Sequence, residues 1–238
     1  MEPRTMSSPH PTDRRWKKPL TPFIFHRDFE RPDAGDVATL AGADVTRVSD
    51  LAGRMYTCHP SVHSLTATAM PMCGPAFTVK CPPGDNLGVM AAVRAVGWGD
   101  VLVVDGQGFT EWCMGGFELL RYARDARGMA GLLVHGAWRD VQEAQAQGLP
   151  VYGLAVSPFS GPKLGPAEVN VPVSCGGVVI APGDVVCASA EGVAVVPRAS
   201  VAAVARALRA GPGGHGIEDF LQEMDGHVAG WLQDGRGA

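Results

Sequence analysis

Two apolar runs closed by glycine constrain the fold of this chain more than any other feature. VLVV lies inside GDVLVVDGQG (99–108), and LLV lies inside MAGLLVHGAWRD (129–140). Short apolar runs without polar alternation read as strands covered on both faces, and each here enters a loop at glycine. Between them, MGGFELLRYARDARG (114–128) reads as a loop that opens a helix near Phe117. Strand, helix and strand in that order predict an α/β fold.

The rest of the chain extends this pattern from Asp36 onward. VATLAGADVTRVSDLAGR (37–54) is helical in period and ends at a glycine. AFTVKCPPGDNLGVMAAVRAV (76–96) reads as a strand, a Pro-Gly turn and a helix, and LPVYGLAV (149–156) as a short strand. SPFSGPKLGPAEV (157–169) is a Pro/Gly-rich loop too long for a mere connection, and such loops are often functional. In 171–197, strands are separated by Pro-Gly-Asp and Glu-Gly turns, and one or two amphipathic helices follow. The composite is a layered α/β fold with mixed sheets rather than a run of clean βαβ repeats. The expected organisation is an N-terminal arm over 1–35, an α/β domain over 36–210 and a C-terminal helix over 211–238.

Composition removes several classes of function. With 46% apolar and 18% charged residues in 238, the chain is globular, with enough length for one sizeable core. Its 31 glycines suit many tight turns. A net charge of −4 makes no case for a nucleic acid partner. No apolar run reaches bilayer length, so no membrane partner is expected. The N-terminus lacks an apolar signal region, which leaves the cytoplasm as the default address. The arm carries six prolines and a basic knot at Arg14, Arg15, Lys17 and Lys18. It reads as a solvated tail or as a segment draped over a neighbouring subunit. The six cysteines are scattered without a CxxC pair, as expected of buried free thiols. His59 and His63 are four apart, but Pro60-Ser61 between them argues against a zinc pair.

Chemistry concentrates in 105–143, where two strand ends face loops. Gly115-Gly116 precede the helix at Phe117, and a helix start offers free N–H groups to a carboxylate. Arg139 has the planar fork that matches a carboxylate or 2-oxo acid. Asp140 beside it can give one oxygen to a hard cation that keeps its other positions for water and substrate. The same pair also fits a helix N-cap with an exposed arginine next to it. Glu143 would share a helical face with Asp140 if a helix starts there. His135 lies beside this region as an acid, a base or a packed strand-end residue.

The segments GPAFTVKCPPGDNLGVMAAV, GDVLVVDGQG, GMAGLLVHGAWRD and NVPVSCGGVVIAPGDVVCASAEGVAVVP resemble, in order, the RraA-like family. That family includes 4-hydroxy-4-methyl-2-oxoglutarate and 4-carboxy-4-hydroxy-2-oxoadipate aldolases and the protein regulators of RNase E. The resemblance runs from about Asp44 to Arg198. Its aldolase signature is an acidic residue, twenty intervening residues, then Arg-Asp; Glu118 with Arg139-Asp140 meets it, with Glu for the commoner Asp. The regulators lack the metal-binding Asp, and this chain keeps Asp140.

The resemblance implies a compact layered β/β/α, swivelling-domain-like fold with C-terminal helices, assembled as homotrimers or homohexamers. It also implies a metal-dependent class II pyruvate aldolase acting on a 4-hydroxy-2-oxo diacid, with oxaloacetate decarboxylase side activity. Asp140 would bind Mg2+ or Mn2+, and Glu118 would hold waters around the cation. Arg139 and the backbone amides of Gly116, Phe117, Glu118 and Leu119 would bind the pyruvyl group. The alternatives are a non-catalytic binding protein like the RNase E regulators, or a lyase for another 2-oxo acid. His135, the Ser189-Ala190-Glu191 run and the 158–168 loop depart from the family pattern, which bears on the substrate more than on the metal.

Overall fold

In the computed structural model, which describes residues 24–211 and 217–233, the N-terminal helices are α1 (Ala34–Ala41) and α2 (Val45–Ala52). A central block follows: β1 (His63–Ser64), β2 (Met72–Lys80), α3 (Leu87–Ala92), β3 (Val101–Asp105), α4 (Phe117–Arg127), β4 (Gly131–Trp138), α5 (Val141–Ala146) and β5 (Val151–Val156). The chain continues through β6 (Glu168–Val169), β7 (Val173–Cys175), β8 (Val178–Ile180), β9 (Val185–Ser189) and β10 (Gly192–Val196). It closes on α6 (Val201–Arg209) and α7 (Ile217–Gln233).

Every residue of β3 is buried, and its two faces account for the layers. Leu102 and Val104 pack with Phe77, Val79, Leu132 and Val134 of the adjoining strands against Val89 of α3 and Leu120 of α4. Val101 and Val103 face the other way, with Leu133 and Tyr152, toward Val173, Val178 and Ile180 of the β7–β8 hairpin. Side chains alternate across a strand, so a strand covered by helices on one face and a hairpin on the other has no solvent-facing position. Each such Val or Leu contributes roughly 1.5–3 kcal/mol by leaving water. The result is a layered β/β/α fold with C-terminal helices, its order set by which face each apolar residue supplies.

The large sheet runs β1-β5-β4-β3-β2-β9-β10, with β6 beside β2. β2 to β5 are parallel neighbours in sequence order, linked by α3, α4 and α5. This corrects the expectation from sequence, since the middle of the chain is a true run of βαβ units. The signal was weak because α3 and α5 have only six residues each, too few to show a helical period. The flanking strands are antiparallel, so the sheet is mixed. It curls until β10 bridges Thr57, a few residues before β1.

β2 divides one of its edges between two partners. Its first half pairs with β9, from Met72 opposite Ala188 to Pro75 opposite Val185. Its last residues, Val79 and Lys80, pair with Val169 and Glu168 of β6. The other edge pairs with β3 from Ala76 onward.

The single helix expected over 37–54 is two. Asp33 accepts from the Gly35 and Asp36 N–H groups at 2.9 and 3.0 Å and starts α1. Asp44 accepts from Thr46 N–H at 3.1 Å and starts α2. An Asp inside an apparent helical period competes for the backbone and restarts the helix. α1, α2 and α6 bury Leu40, Val48 and Val201 against β9 and β10.

Of the arm expected over 1–35, the basic knot at 14–18 lies outside the described residues. Residues 24–33 lie on the body: Val169 N–H donates to the Ile24 carbonyl at 2.9 Å, and His26 N–H to the Val169 carbonyl at 3.2 Å. Arg31 stacks 4.3 Å from the centre of the Phe29 ring and grips Asp100 with both ends of its fork. Asp100 is fully buried and also accepts from Gly97 N–H at 2.8 Å. No described helix is long and apolar enough to cross a membrane.

Removing one partner of a buried ion pair leaves the other charge without compensation. With Asp100 buried but the Arg31 side chain 45% exposed, solvent screens the pair, and Arg31→Ala is expected to cost about 2 kcal/mol in urea unfolding. A loss below about 1 kcal/mol would mean that the Gly97 N–H alone satisfies Asp100.

Candidate active site

β4 ends at Trp138, and the chain turns sharply at Arg139 and Asp140. Asp140 takes the left-handed conformation, with φ 57° and ψ 36°, which aspartate tolerates better than most residues. It stands directly before α5, yet its side chain does not cap that helix. The carboxylate crosses instead to the start of α4, where Oδ2 accepts from Phe117 N–H at 3.2 Å. The helix-cap reading of Asp140 therefore fails for the helix it precedes, because the carboxylate is turned to the start of α4.

Two glycines make this approach possible. A Cβ on Gly116 would lie 2.2 Å from Asp140 Oδ2, and one on Gly115 would lie 2.3 Å from the Trp138 ring. Gly116 itself is extended, so space and not backbone strain demands glycine here. Main-chain bonds hold the 113–116 segment along β4: Met114 N–H donates to the Ala137 carbonyl at 2.8 Å, and Arg139 N–H to Gly115 at 3.1 Å.

Together these groups line a pocket of about 170 Å³ that holds Gly115, Gly116, Glu118, Leu119, Arg139 and Asp140. Of the residues singled out from sequence these are thus brought together, with Phe117 contributing its N–H and packing its ring on the core, while Glu143 and His135 lie outside the lining. Their amides are not equally free. Phe117 N–H is taken by Asp140, and Leu119 N–H donates to the Gly116 carbonyl at 3.2 Å. Arg139 Nε is buried without a hydrogen-bond partner, 3.5 Å from Asp140 Oδ2. Its outer nitrogen reaches only the Pro158 carbonyl, at 3.5 Å. Most of the guanidinium fork is unspent. The Glu118 carboxylate lies on the exposed side of the pocket and pairs with Arg121 at 2.6 Å.

Sequence reasoning missed Asn86, Met90, Cys113, Ser160 and Lys163, which complete the lining. Ser160 and Lys163 come from the long 157–169 loop, whose length was the available signal. The loop is held by Cys113 N–H donating to the Phe159 carbonyl at 2.7 Å and Gly165 N–H donating to Asp85 at 3.0 Å. Asn86 stands just before α3, and its Oδ1 is buried and unpartnered. Burial pushes the Cys113 thiol up despite the Arg139 charge, so it is not a poised nucleophile.

His135 does not line the pocket. Its ring faces Asp105, the residue opposite it in the β3–β4 register, at 4.0 Å. Burial would raise the Asp105 pKa, yet the net shift is downward under the influence of His135 and of the Ser174 and Gln107 N–H groups. At 4.0 Å the imidazole is beyond hydrogen-bond reach, leaving Gln107 N–H at 2.9 Å and Ser174 N–H at 3.1 Å as the hydrogen bonds proper. The pair thus ties the sheet to the hairpin strand β7.

Among the described residues no three His, Cys, Asp or Glu side chains converge. A cation here would have to rest on few protein atoms. Asp140 has one carboxylate oxygen beyond the one facing Phe117, and Asn86 Oδ1 is an unpartnered oxygen in the same lining. That donor set fits magnesium or manganese keeping several waters, and it does not fit zinc.

The same scaffold occurs in solved RNA-processing inhibitors and their kin. The RNA-processing inhibitor RraA of Thermus thermophilus is 32% identical, with a TM-score of 0.59 over 65% of this chain and 93% of that one. RraAS2 of Streptomyces coelicolor, described as an unusual member of the RNase ES inhibitor RraA family, is 27% identical, with a TM-score of 0.66 over 76% and 93%. The RraA-like family profile, described as Aldolase/RraA, matches residues 36–195, and the chain belongs to that family. A Halalkalibacterium halodurans relative, 38% identical over 57% of this chain and 67% of its own, bears the name "Putative 4-hydroxy-4-methyl-2-oxoglutarate aldolase". An Ectopseudomonas mendocina relative of the same name is 38% identical over 53% and 76%.

Gly116→Ala would drive a methyl group into the Asp140 carboxylate. For the reaction proposed below, a loss of about 100-fold or more in rate is expected with the circular dichroism spectrum unchanged, and an unaltered rate would show that the contact is dispensable. Asp105, held below its ordinary pKa, stabilises the fold at pH above the unfolded value of about 4, and that contribution is lost as pH falls through the folded value. Asp105→Asn should therefore lower stability at neutral pH and flatten its fall in acid, read by thermal unfolding at a series of pH values.

Proposed function

We propose that the chain is a lyase that cleaves a 4-hydroxy-2-oxo diacid of the 4-hydroxy-4-methyl-2-oxoglutarate type to pyruvate, with Mg2+ or Mn2+ held at Asp140. The observation that carries this reading is the turn at Asp140. It sets one carboxylate against the start of α4 while leaving the Arg139 fork unspent in the same pocket. The names of the relatives support the lyase class. A divalent cation, when bound, supplies Lewis-acid stabilisation of the enolate oxygen.

The chain's own residues do the rest. Arg139 takes the carboxylate and keto oxygen of the 2-oxo acid and shares the negative charge that grows as the carbon–carbon bond breaks. The N–H groups of Gly116 and Glu118, at the positive end of the α4 dipole, add to that stabilisation. Glu118 is exposed and bound only to Arg121, so its carboxylate can swing inward and orient the water that takes the substrate hydroxyl proton. Lys163, at the loop side of the pocket, suits the second carboxylate of a diacid. Oxaloacetate decarboxylation passes through the same pyruvate enolate and belongs to the proposal as a side activity. A homotrimer or homohexamer is proposed for the assembly, to be read by light scattering.

A second reading is a binding protein that inhibits a ribonuclease, supported by the names of the two solved relatives. One experiment separates them: pyruvate release from 4-hydroxy-4-methyl-2-oxoglutarate and from oxaloacetate, coupled to lactate dehydrogenase, with magnesium, with manganese and after EDTA. The lyase reading expects release that EDTA stops and that Asp140→Ala lowers about 100-fold or more. Arg139→Lys, which keeps the charge and loses the fork, is expected to lose at least tenfold or so in kcat/KM. No pyruvate from either compound with either metal would overturn the assignment for these substrates and favour the second reading.

A further inference from the structure

Away from the pocket, the seam where β2 meets β9 holds two thiols face to face. Cys73 and Cys187 are directly opposed in the antiparallel register, and their sulfurs lie 3.3 Å apart. We propose that this pair is an oxidation site, closing to a cross-strand disulfide when the protein meets a peroxide. Opposed residues of an antiparallel pair have Cα atoms about 4.5–5.5 Å apart. That range lies inside the roughly 4.4–6.8 Å a disulfide requires. The sulfurs need only approach from 3.3 Å to about 2.05 Å, a side-chain adjustment that leaves the ladder in place.

Access is built into the same place. Both cysteines line a cavity of about 260 Å³ between the α1–α2 turn and the seam, alongside Asp44 and Ser189. Cys73 is half-buried and Cys187 buried, so the oxidant reaches Cys73 first. The hydrogen bond to Cys73 and burial push the Cys187 thiol well up, so it gives up its proton only as the hydroxyl departs from Cys73. The other close thiol differs: Cys58 donates to the Cys175 carbonyl at 3.5 Å, and both residues are buried under the hairpin. The remaining two, Cys81 and Cys113, sit elsewhere in the fold, and burial pushes Cys81 to about 12.

The chemistry balances with hydrogen peroxide as the oxidant. The Cys73 thiolate attacks one peroxide oxygen; a sulfur–oxygen bond forms, the oxygen–oxygen bond breaks, and hydroxide leaves and is protonated to water. Cys187 sulfur then attacks the Cys73 sulfenic acid, the sulfur–sulfur bond forms, and the departing hydroxyl takes the Cys187 proton as a second water. Two thiols lose two electrons and one peroxide gains them. A dithiol reductant reverses the step.

The test uses the whole chain, folded, with a few-fold molar excess of hydrogen peroxide, then denaturation and alkylation. The proposal expects two fewer alkylated thiols than the six present before treatment, all restored by dithiothreitol. Trypsin followed by Asp-N, which cuts before Asp184, separates Cys187 from Cys175; Cys58 and Cys73 stay together on the 55–80 peptide, so fragmentation of the linked peptides must place the bridge on Cys73 and not on Cys58. Cys73→Ser and Cys187→Ser should each abolish the link, and Cys58→Ser should keep it. Six alkylated thiols after treatment, a link between Cys58 and Cys175, a link between two chains, or sulfinic acid at Cys73 without any link would each overturn it. The thiol count and the linked peptides come from the native chain alone, so they decide the question even where a variant fails to fold.

Discussion

Everything in this fold depends on covering both faces of the parallel strands β2 to β5. Parallel strands need crossovers, and the crossovers α3, α4 and α5 bring helices to one face. The second face would remain wet without the β7–β8 hairpin, which lays Val173, Val178 and Ile180 over Val101, Val103 and Leu133. With both faces closed, backbone groups are left open to a ligand at the strand ends, where chain must leave the sheet for a helix. The pocket lies at such an end, where β4 gives way to α5 and α4 begins.

That placement explains the division of labour among charged groups nearby. Asp105 ends β3 and His135 lies opposite it on β4, four residues before Arg139, yet they face each other, and Asp105 binds the hairpin and serves the sheet. Asp140 looks toward the helix start, and Arg139 keeps most of its donors unspent. Neighbouring strand ends thus carry one structural pair and one pair available to a ligand. The difference is set by the left-handed turn at Asp140, which swings the carboxylate out of line with β4.

Much of this was legible in the residues. VLVV and LLV announced strands covered on both faces, and Gly115-Gly116 before Phe117 marked the helix start that meets Asp140. The weaker signals failed for physical reasons. α3 and α5 are too short to display a period, so the βαβ run was hidden. Asp44 sat inside an apolar rhythm that looked continuous, and its capping of Thr46 divides the helix. Lys163 and Asn86 could not be placed in the site by spacing, because loop contacts through Asp85 and Cys113 bring them there. His135 was adjacent in sequence to the site but faces away, since alternation along β4 decides which side a residue serves.

The divided edge of β2 has a mechanical meaning. One strand is hydrogen-bonded to β3 along its later half, to β9 along its earlier half and to β6 at its tip. Three buried clusters therefore share one piece of backbone, and none can come apart without breaking bonds that also belong to another. A protein wired in this way has no natural line of fracture. The helices α1, α2 and α6 look peripheral, yet peeling them off with β9 would unzip the strand on which the βαβ core is registered. Cooperativity between the two ends of the chain thus resides in nine residues, Met72 to Lys80, that serve every layer at once.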